Sequence, residues 1–430
     1  MRVQIPLVTQ THTSSAGISL KAAPVPPPGP AHESFEGRAA GFFGGREPVT
    51  AGKVHLVNFA AIQERFAEQW PNTEPKAEGL IRRAIERRLM PSDVYRKAGD
   101  LDFVLLFPSL TPQEGRLKCA QIAEEISRAL VSELGAEAAQ IDAGAAIVDS
   151  KAMLAIIQQD GDLAEAIASE ITKATAAPVK EGERPSALDH VRFLFRPIWD
   201  VKRNAVFNFL CVPMVKTQGG RVQAGEAAIE GLDDRHFRLD YDLRLLKRVL
   251  DELMRVGAQD RRLLFTIPVH VDTVSFGPFR TEYLRLWREL PLSLQRLAVF
   301  DLVGGTDGFP QSRLIEILPS LKPVSRAVTL RMPLPAVGAI GRFAHAGLHA
   351  LSTETTSIRE EGAQGEFEKF VVATEKAHLL TYLHGIRSGS LALAAVGAGF
   401  SFIDGPAIGT AEVNPKDALR FSMEDLYAKR

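Results

Sequence analysis

The chain has 430 residues, enough for two domains or one large barrel with a smaller companion. Its content is 45% hydrophobic and 24% charged, ordinary for a globular protein, and a formal net charge of -1 gives no overall pull toward nucleic acid or anionic membrane. The 2 cysteines, Cys119 and Cys211, are too few for a zinc ribbon or a disulfide framework and suit a reducing cytoplasm.

Residues 1–45 are rich in Pro, Gly, Ser and Ala and include Ala23-Pro24-Val25-Pro26-Pro27-Pro28, a polyproline-II run. Nothing there can bury a core, so the segment is expected to be a disordered tether. No apolar core follows Arg2, so no signal peptide is expected. Order begins near Lys53 with the strand pattern Val54-His55-Leu56-Val57-Asn58-Phe59. A helix follows over residues 60–90, interrupted near Pro71 and Pro75, with Leu80, Ile81, Ala84, Ile85 and Leu89 at helical spacing. Val94-Tyr95-Arg96, a Gly-Asp turn and Phe103–Phe107 predict a hairpin. A helix over Pro112–Leu134 and a strand over Gln140–Val148 complete the order β-α-β-β-α-β, an α+β sandwich of ferredoxin-like type spanning 46–150. Residues 151–189 read as a helix and then a polar linker with Pro178 and Pro185, which marks the domain boundary.

From residue 190 to 430, strands alternate with helices. The predicted strands are Phe193–Trp199, Ala205–Val212, Leu263–Val269, Leu297–Leu302, Ala327–Leu330, Gly347–Ser352 and Gly399–Ile403. The predicted helices are Asp240–Val256, Phe279–Glu289, Gln311–Leu318, Val337–Ala346 and Glu366–Gly385. Gly389 to Ile403 is too short to cross a bilayer, which needs about 20 residues, and reads as a buried strand and turn. Repeated βα units over this length predict an α/β fold, a (β/α)8 TIM-like barrel. A short turn at Asp200–Asn204 joins the first two strands, so one barrel strand should run antiparallel to the rest.

Four segments carry a resemblance. They are Phe195-Arg196-Pro197-Ile198-Trp199-Asp200, the helix Leu239–Leu246, the strand Leu264–Val269, and the closing Gly399-Phe400-Ser401-Phe402-Ile403-Asp404-Gly405-Pro406. In order and spacing the C-terminal half resembles the EAL-type cyclic-di-GMP phosphodiesterase barrel. The N-terminal half is similar to a GGDEF (diguanylate cyclase) domain, with Gly99-Asp100-Leu101-Asp102-Phe103 on the hairpin where that family carries its signature. A GGDEF domain followed by an EAL domain is a common order in bacterial signalling.

The resemblance implies metal-assisted phosphodiester hydrolysis, which needs carboxylate oxygens at the C-terminal ends of the barrel strands. Here the signature Glu falls on Leu210, the metal-binding Asn on Pro268, one acid survives at Asp301, and its companion falls on Gly304. The paired acids of the next strand fall on Arg331-Met332, the following Lys and Asp on Ser352 and Glu354, the late Glu residues near His384 and Arg387, and the closing Gln on Asp404. An isolated Asp301 cannot hold two metals, and Arg331 would repel them. No metal and no cofactor is expected. On the cyclase side, Asp100 and Leu101 replace residues that nucleotide binding requires, and the turn reads as a solvated hairpin. Other constellations read blandly. His345 and His349 are two ordinary histidines, Gly304–Gly308 is a βα loop, and Asp242, Arg244, Lys247 and Arg248 form a solvated helix face.

The expectation is a degenerate GGDEF–EAL protein, a cytoplasmic pseudo-enzyme acting by protein–protein interaction in a bacterial signalling or motility pathway linked to cyclic-di-GMP. The alternatives are a receptor that binds cyclic-di-GMP without cleaving it, with Arg196, Arg331 and Arg387 as candidate phosphate contacts, and a disfavoured active phosphodiesterase. Neither nucleic-acid binding nor membrane insertion is expected. A homodimer through a barrel helix face remains open.

Overall fold

The computed structural model describes residues 35–428 apart from 46–48, 57–62, 64–65, 100, 136–140, 160, 176–187, 217–221, 227–228, 230, 305–309, 356–357 and 359. The polyproline run, Asp100, most of the proposed linker and residues 305–308 of the glycine-rich loop lie outside the described residues.

The first domain is built on strands β1 (Val49–Leu56), β2 (Val94–Lys97), β3 (Asp102–Phe107) and β4 (Ile141–Val148), in the order β2-β3-β1-β4 with every pairing antiparallel. This is the ferredoxin-like order that the β-α-β-β-α-β reading implies. On one face lie helices α2 (Trp70–Arg88) and α3 (Pro112–Leu134), packing Ile81, Ile85, Ile122 and Ile126 against Phe103, Leu105 and Phe107. A capping box formed by Thr111 and Glu114 starts α3, and Gly135 in the left-handed region ends it.

The other face is covered as well, which the sequence reading had not assigned. Helix α1 (Phe35–Phe43) lies within the segment expected to be a disordered tether. Helices α4 (Ser150–Gln158) and α5 (Leu163–Thr175) lie within the expected helix and linker. Their Ala39, Phe43, Met153, Leu163, Ile167 and Ile171 pack on Val104 and Leu106. The physical reason is in β3, where successive residues point to opposite faces and all of Phe103 to Phe107 are buried. A strand apolar on both sides needs cover on both sides.

The barrel has eight strands: β5 (Val191–Asp200), β6 (Ala205–Lys216), β8 (Leu264–His270), β9 (Ala298–Val303), β10 (Ala327–Arg331), β11 (Ala350–Glu354), β12 (Leu380–His384) and β13 (Phe402–Asp404). Pairing runs β6-β5-β13-β12-β11-β10-β9-β8, and β8 pairs back to β6 to close the ring. Strand β5 is antiparallel to both of its neighbours and the remaining pairings are parallel, as the short turn after Asp200 requires. A short strand β7 (Val222–Ala224) extends from β6, and β14 (Leu419–Arg420) pairs with its start. The main core lies between the strands and the outer helices, with Phe195, Phe265, Phe300, Trp287 and Phe367 among its buried members. A smaller cluster fills the interior with Ile198, Leu210, Val212, Ala350 and Tyr382.

Three sequence assignments are corrected. The helix expected over Glu366–Gly385 ends at Lys376, and Leu380–His384 is a barrel strand. Periodicity does not separate a short apolar run from a buried helix segment, and here parallel pairing decides. The segment Gly389 to Ile403 is a helix, α10 (Gly389–Ala398), followed by strand β13. The Ser388 hydroxyl caps its start and Gly399 its end, while its even hydrophobicity hides the helical period. The remaining barrel helices are α6 (Arg235–Ala258), α7 (Gly277–Trp287), α8 (Gln311–Leu321) and α9 (Ala363–Lys376). The helix expected over Val337–Ala346 is a 3-10 turn, Ala336–Phe343.

The two domains meet where α3 lies against α6. The Gln121 amide donates to the Gly257 carbonyl at 3.1 Å, and Arg88 donates to Asp260 at 2.7 Å. Among the described residues no helix is long and apolar enough to cross a membrane.

At the close of the barrel Gly405 has φ +146, and a Cβ there would stand 2.1 Å from the Ile386 carbonyl oxygen. Gly405→Ala is therefore expected to cost about 3 kcal/mol through overpacking and backbone strain. A lowered urea midpoint for the barrel transition checks this.

Candidate functional site

The C-terminal ends of the parallel strands surround a cavity of ≈ 230 Å³ walled by Arg196, Leu210, Pro268, Arg331, Glu354 and His384, with Glu226 entering after β7. This is the end at which (β/α)8 barrels place their chemistry.

Asp301, on β9, is fully buried in the floor. Its Oδ1 accepts from the hydroxyls of Ser352 at 2.6 Å and Thr329 at 2.7 Å. Its Oδ2 accepts from Arg331, with Nε at 2.9 Å and Nη2 also in contact. The same guanidinium reaches Glu354 through Nη1. Burial alone would raise the Asp301 carboxyl, but Arg331 and His384 outweigh it and hold the group below the usual carboxylate range. Burial likewise works against the Arg331 charge, yet Asp301, Glu354 and Glu226 hold it firmly protonated.

A second ion pair stands beside the first. Asp404 Oδ1 lies 2.5 Å from Arg196 Nη2 and its Oδ2 contacts His384 Nδ1, and its carboxyl stays ionised against its burial because of these two partners. His384 Nε2 points back to Asp301 Oδ2 at 3.6 Å, which links the two pairs. On the far wall, His270 Nδ1 meets Asp242 Oδ1 at 2.8 Å and its Nε2 lies 3.5 Å from Glu226. Asp242 also accepts from Thr273, and Tyr241 donates to Glu226 at 3.2 Å.

The residues singled out from sequence divide accordingly. Leu210 and Pro268 wall the cavity and offer no ligating atom. Asp301, Ser352, Arg331 and Asp404 are brought together, so Asp301 is not isolated as expected but saturated by three donor residues. Gly304, with φ +98, ends β9 and does not wall the cavity. Arg196 and Arg331 do line it, each engaged by a buried carboxylate. Arg387 does not. It is exposed and donates to the Ile358 carbonyl at 2.7 Å.

Asp242 corrects the reading of a solvated helix face, since it is 1% exposed. The signal was available, because Asp242 falls three residues from Leu239 and from Leu245, on the apolar face of α6. His270 could have been found as a titratable residue at the C-terminal end of a barrel strand. His384, placed near the site by the resemblance, also ends a barrel strand, one that the sequence pattern had hidden inside a helix, and Glu226 carries no such mark.

These residues do not fit a pair of divalent ions. Hard cations need several free oxygen donors. The Asp301 oxygens are taken, and a guanidinium stands between Asp301 and Glu354. Among the described residues no group of three or more His, Cys, Asp or Glu is placed to hold a metal. In the first domain, Leu101 turns its side chain into the core and is 2% exposed, and Asp102 lies 3.9 Å from the Lys53 ammonium.

No family model matches the sequence, and no curated protein does. Solved structures do resemble it. The chain is similar to GGDEF–EAL and EAL-domain structures. One is Vibrio cholerae LapD S helix-GGDEF-EAL in its apo form, at 10% identity over 86% of this chain and 91% of that one, with a TM-score of 0.39. Another is the Bacillus subtilis YkuI protein, with an EAL domain, in complex with cyclic-di-GMP and calcium, at 12% identity over 57% and 64%, with a TM-score of 0.44. A third is the Xanthomonas citri FimX EAL domain in complex with cyclic-di-GMP, at 12% identity over 53% and 91%, with a TM-score of 0.39.

Two outcomes are expected at this site. Arg331→Leu leaves Asp301 buried without its cation and should cost about 3–5 kcal/mol in urea unfolding. Adding Asp301→Asn should recover part of that loss. The second outcome concerns pH. Burial acts to lower the His270 pKa, but Asp242 and Glu226 prevail and raise it to about 10. Because the folded value lies above the unfolded one, about 6.5, this contribution is complete below that unfolded value. It is lost as pH rises toward 10. His270→Gln should remove that part of the pH dependence, measured by urea unfolding across the range.

Proposed function

We propose that the protein is a catalytically silent EAL-type barrel that acts through protein contacts in cyclic-di-GMP-linked regulation. The observation that carries this reading is the Arg331 guanidinium, held between Asp301 and Glu354 where hydrolysis would need divalent cations. Leu210 and Pro268 support it, since neither can supply a ligand.

A silent barrel could still be a nucleotide receptor, and Arg196 and Arg331 in the cavity wall favour that second reading. Two features weigh against it. Both arginines already serve buried carboxylates, and the cavity of ≈ 230 Å³ is below the roughly 300 Å³ at which small-molecule pockets begin. A barrel that keeps its core while its mouth changes can still serve as a docking body.

The full chain is expected to leave cyclic-di-GMP intact with Mg²⁺ or Mn²⁺, and calorimetry at high micromolar nucleotide should give no heat. Metal-dependent turnover would sink the proposal. A heat of binding that Arg196→Ala abolishes would move it to the receptor reading. A chain that purifies from its native cells as a lone monomer, under reciprocal tagging, would remove the case for a protein partner.

A further inference from the structure

The N-terminal ends of the parallel strands enclose a second cavity, of ≈ 570 Å³, at the opposite end of the barrel from Arg331. It opens between Leu264, Ala327 and Leu380, each the first residue of its strand, and the β5–β6 turn. The bottom of such a barrel is ordinarily closed by packed side chains. This volume lies within the roughly 300–1,000 Å³ of small-molecule sites.

The lining has two unlike parts. At the rim stand three permanent cations, Lys202, Arg203 and Arg326, against a single carboxylate, Asp200. Arg203 is engaged with that carboxylate at 3.2 Å. Among the described residues, Lys202 and Arg326 pair with no carboxylate and both are exposed. Lys322 adds a further cation in an adjoining hollow that shares Arg326 and His349. The inner part is aromatic. Phe207, Tyr382 and Phe402 line it, and Tyr382 and Phe402 stack at 4.3 Å. Its polar atoms are few and fixed. The Asn208 amide donates to the Tyr382 hydroxyl at 3.4 Å and accepts from Thr266 at 3.1 Å. Burial, with Asp301 and Asp200 adding to it, keeps the Tyr382 phenol protonated, so its own hydrogen is free to donate.

We propose that this cavity is a binding site for a small anion carried on a planar ring, with the ring against Phe207 and Phe402 and the anionic group at Lys202 and Arg326. The inference is independent of the reading of the opposite end, because no residue is shared between the two cavities. Apolar area holds the ring, and charge-assisted hydrogen bonds at the rim hold the anion.

The probe set separates these parts. Adenosine monophosphate has both ring and anion, adenosine only the ring, and inorganic phosphate only the anion. Calorimetry on the full chain should detect adenosine monophosphate, with adenosine and phosphate each weaker by about tenfold or more. Arg326→Glu and Lys202→Glu, both at exposed positions, should each weaken adenosine monophosphate by a similar factor while thermal unfolding stays unchanged. The proposal is overturned by any of three results: no heat from adenosine monophosphate at millimolar concentration, undiminished binding in both variants, or phosphate alone binding as tightly as the nucleotide.

Discussion

The buried pair of Asp301 and Arg331 governs the mouth of this barrel. Taking two charges out of water costs several kcal/mol per ion, and only close geometry with every remaining lone pair satisfied can offset it. Both conditions are met. Ser352 and Thr329 complete the carboxylate, and Glu354 takes the outer edge of the guanidinium. Neither partner can leave without stranding the other. The barrel end is therefore polar in composition, with its buried carboxylates and arginines paired to one another.

The fold itself does not depend on what stands at its mouth. The stabilising core of a (β/α)8 barrel lies between strands and helices, where Phe265, Phe300 and Trp287 pack. The residues that would do chemistry sit at strand ends and contribute little to that core. Leucine at 210 even joins the interior cluster with Val212 and Tyr382. Apolar or mutually neutralising groups at those positions fit the architecture without altering the ring of strands. The opposite end of the barrel differs in kind. Among the described residues its cations at 202 and 326 pair with no carboxylate.

Much of the fold could be read in the sequence where the signal is local. Alternation, helical spacing and turn residues placed the ferredoxin-like order and seven of the eight barrel strands, and the turn after Asp200 gave the antiparallel strand. Leu380–His384 was lost because a short apolar run satisfies helix and strand equally. Helices α1, α4 and α5 were left out of the first domain although Val104 and Leu106 implied a second buried face. At the site, the choice of Leu210, Pro268 and Asp301 follows from the resemblance, which places them at strand ends. The partnership of Asp242 with His270, 28 residues away, does not.

The sequence by itself determined which side chains stand at the strand ends and what each can offer. The side chains of Leu210 and Pro268 offer no ligating atom in any fold. Only the tertiary structure decided what the charges there do. Whether Asp301 is a lone acid or half of a saturated pair depends on Thr329, Arg331 and Ser352, which two other strands bring to it by parallel register. Electrostatic energy depends on distance and burial, and neither is written in the order of residues along the chain.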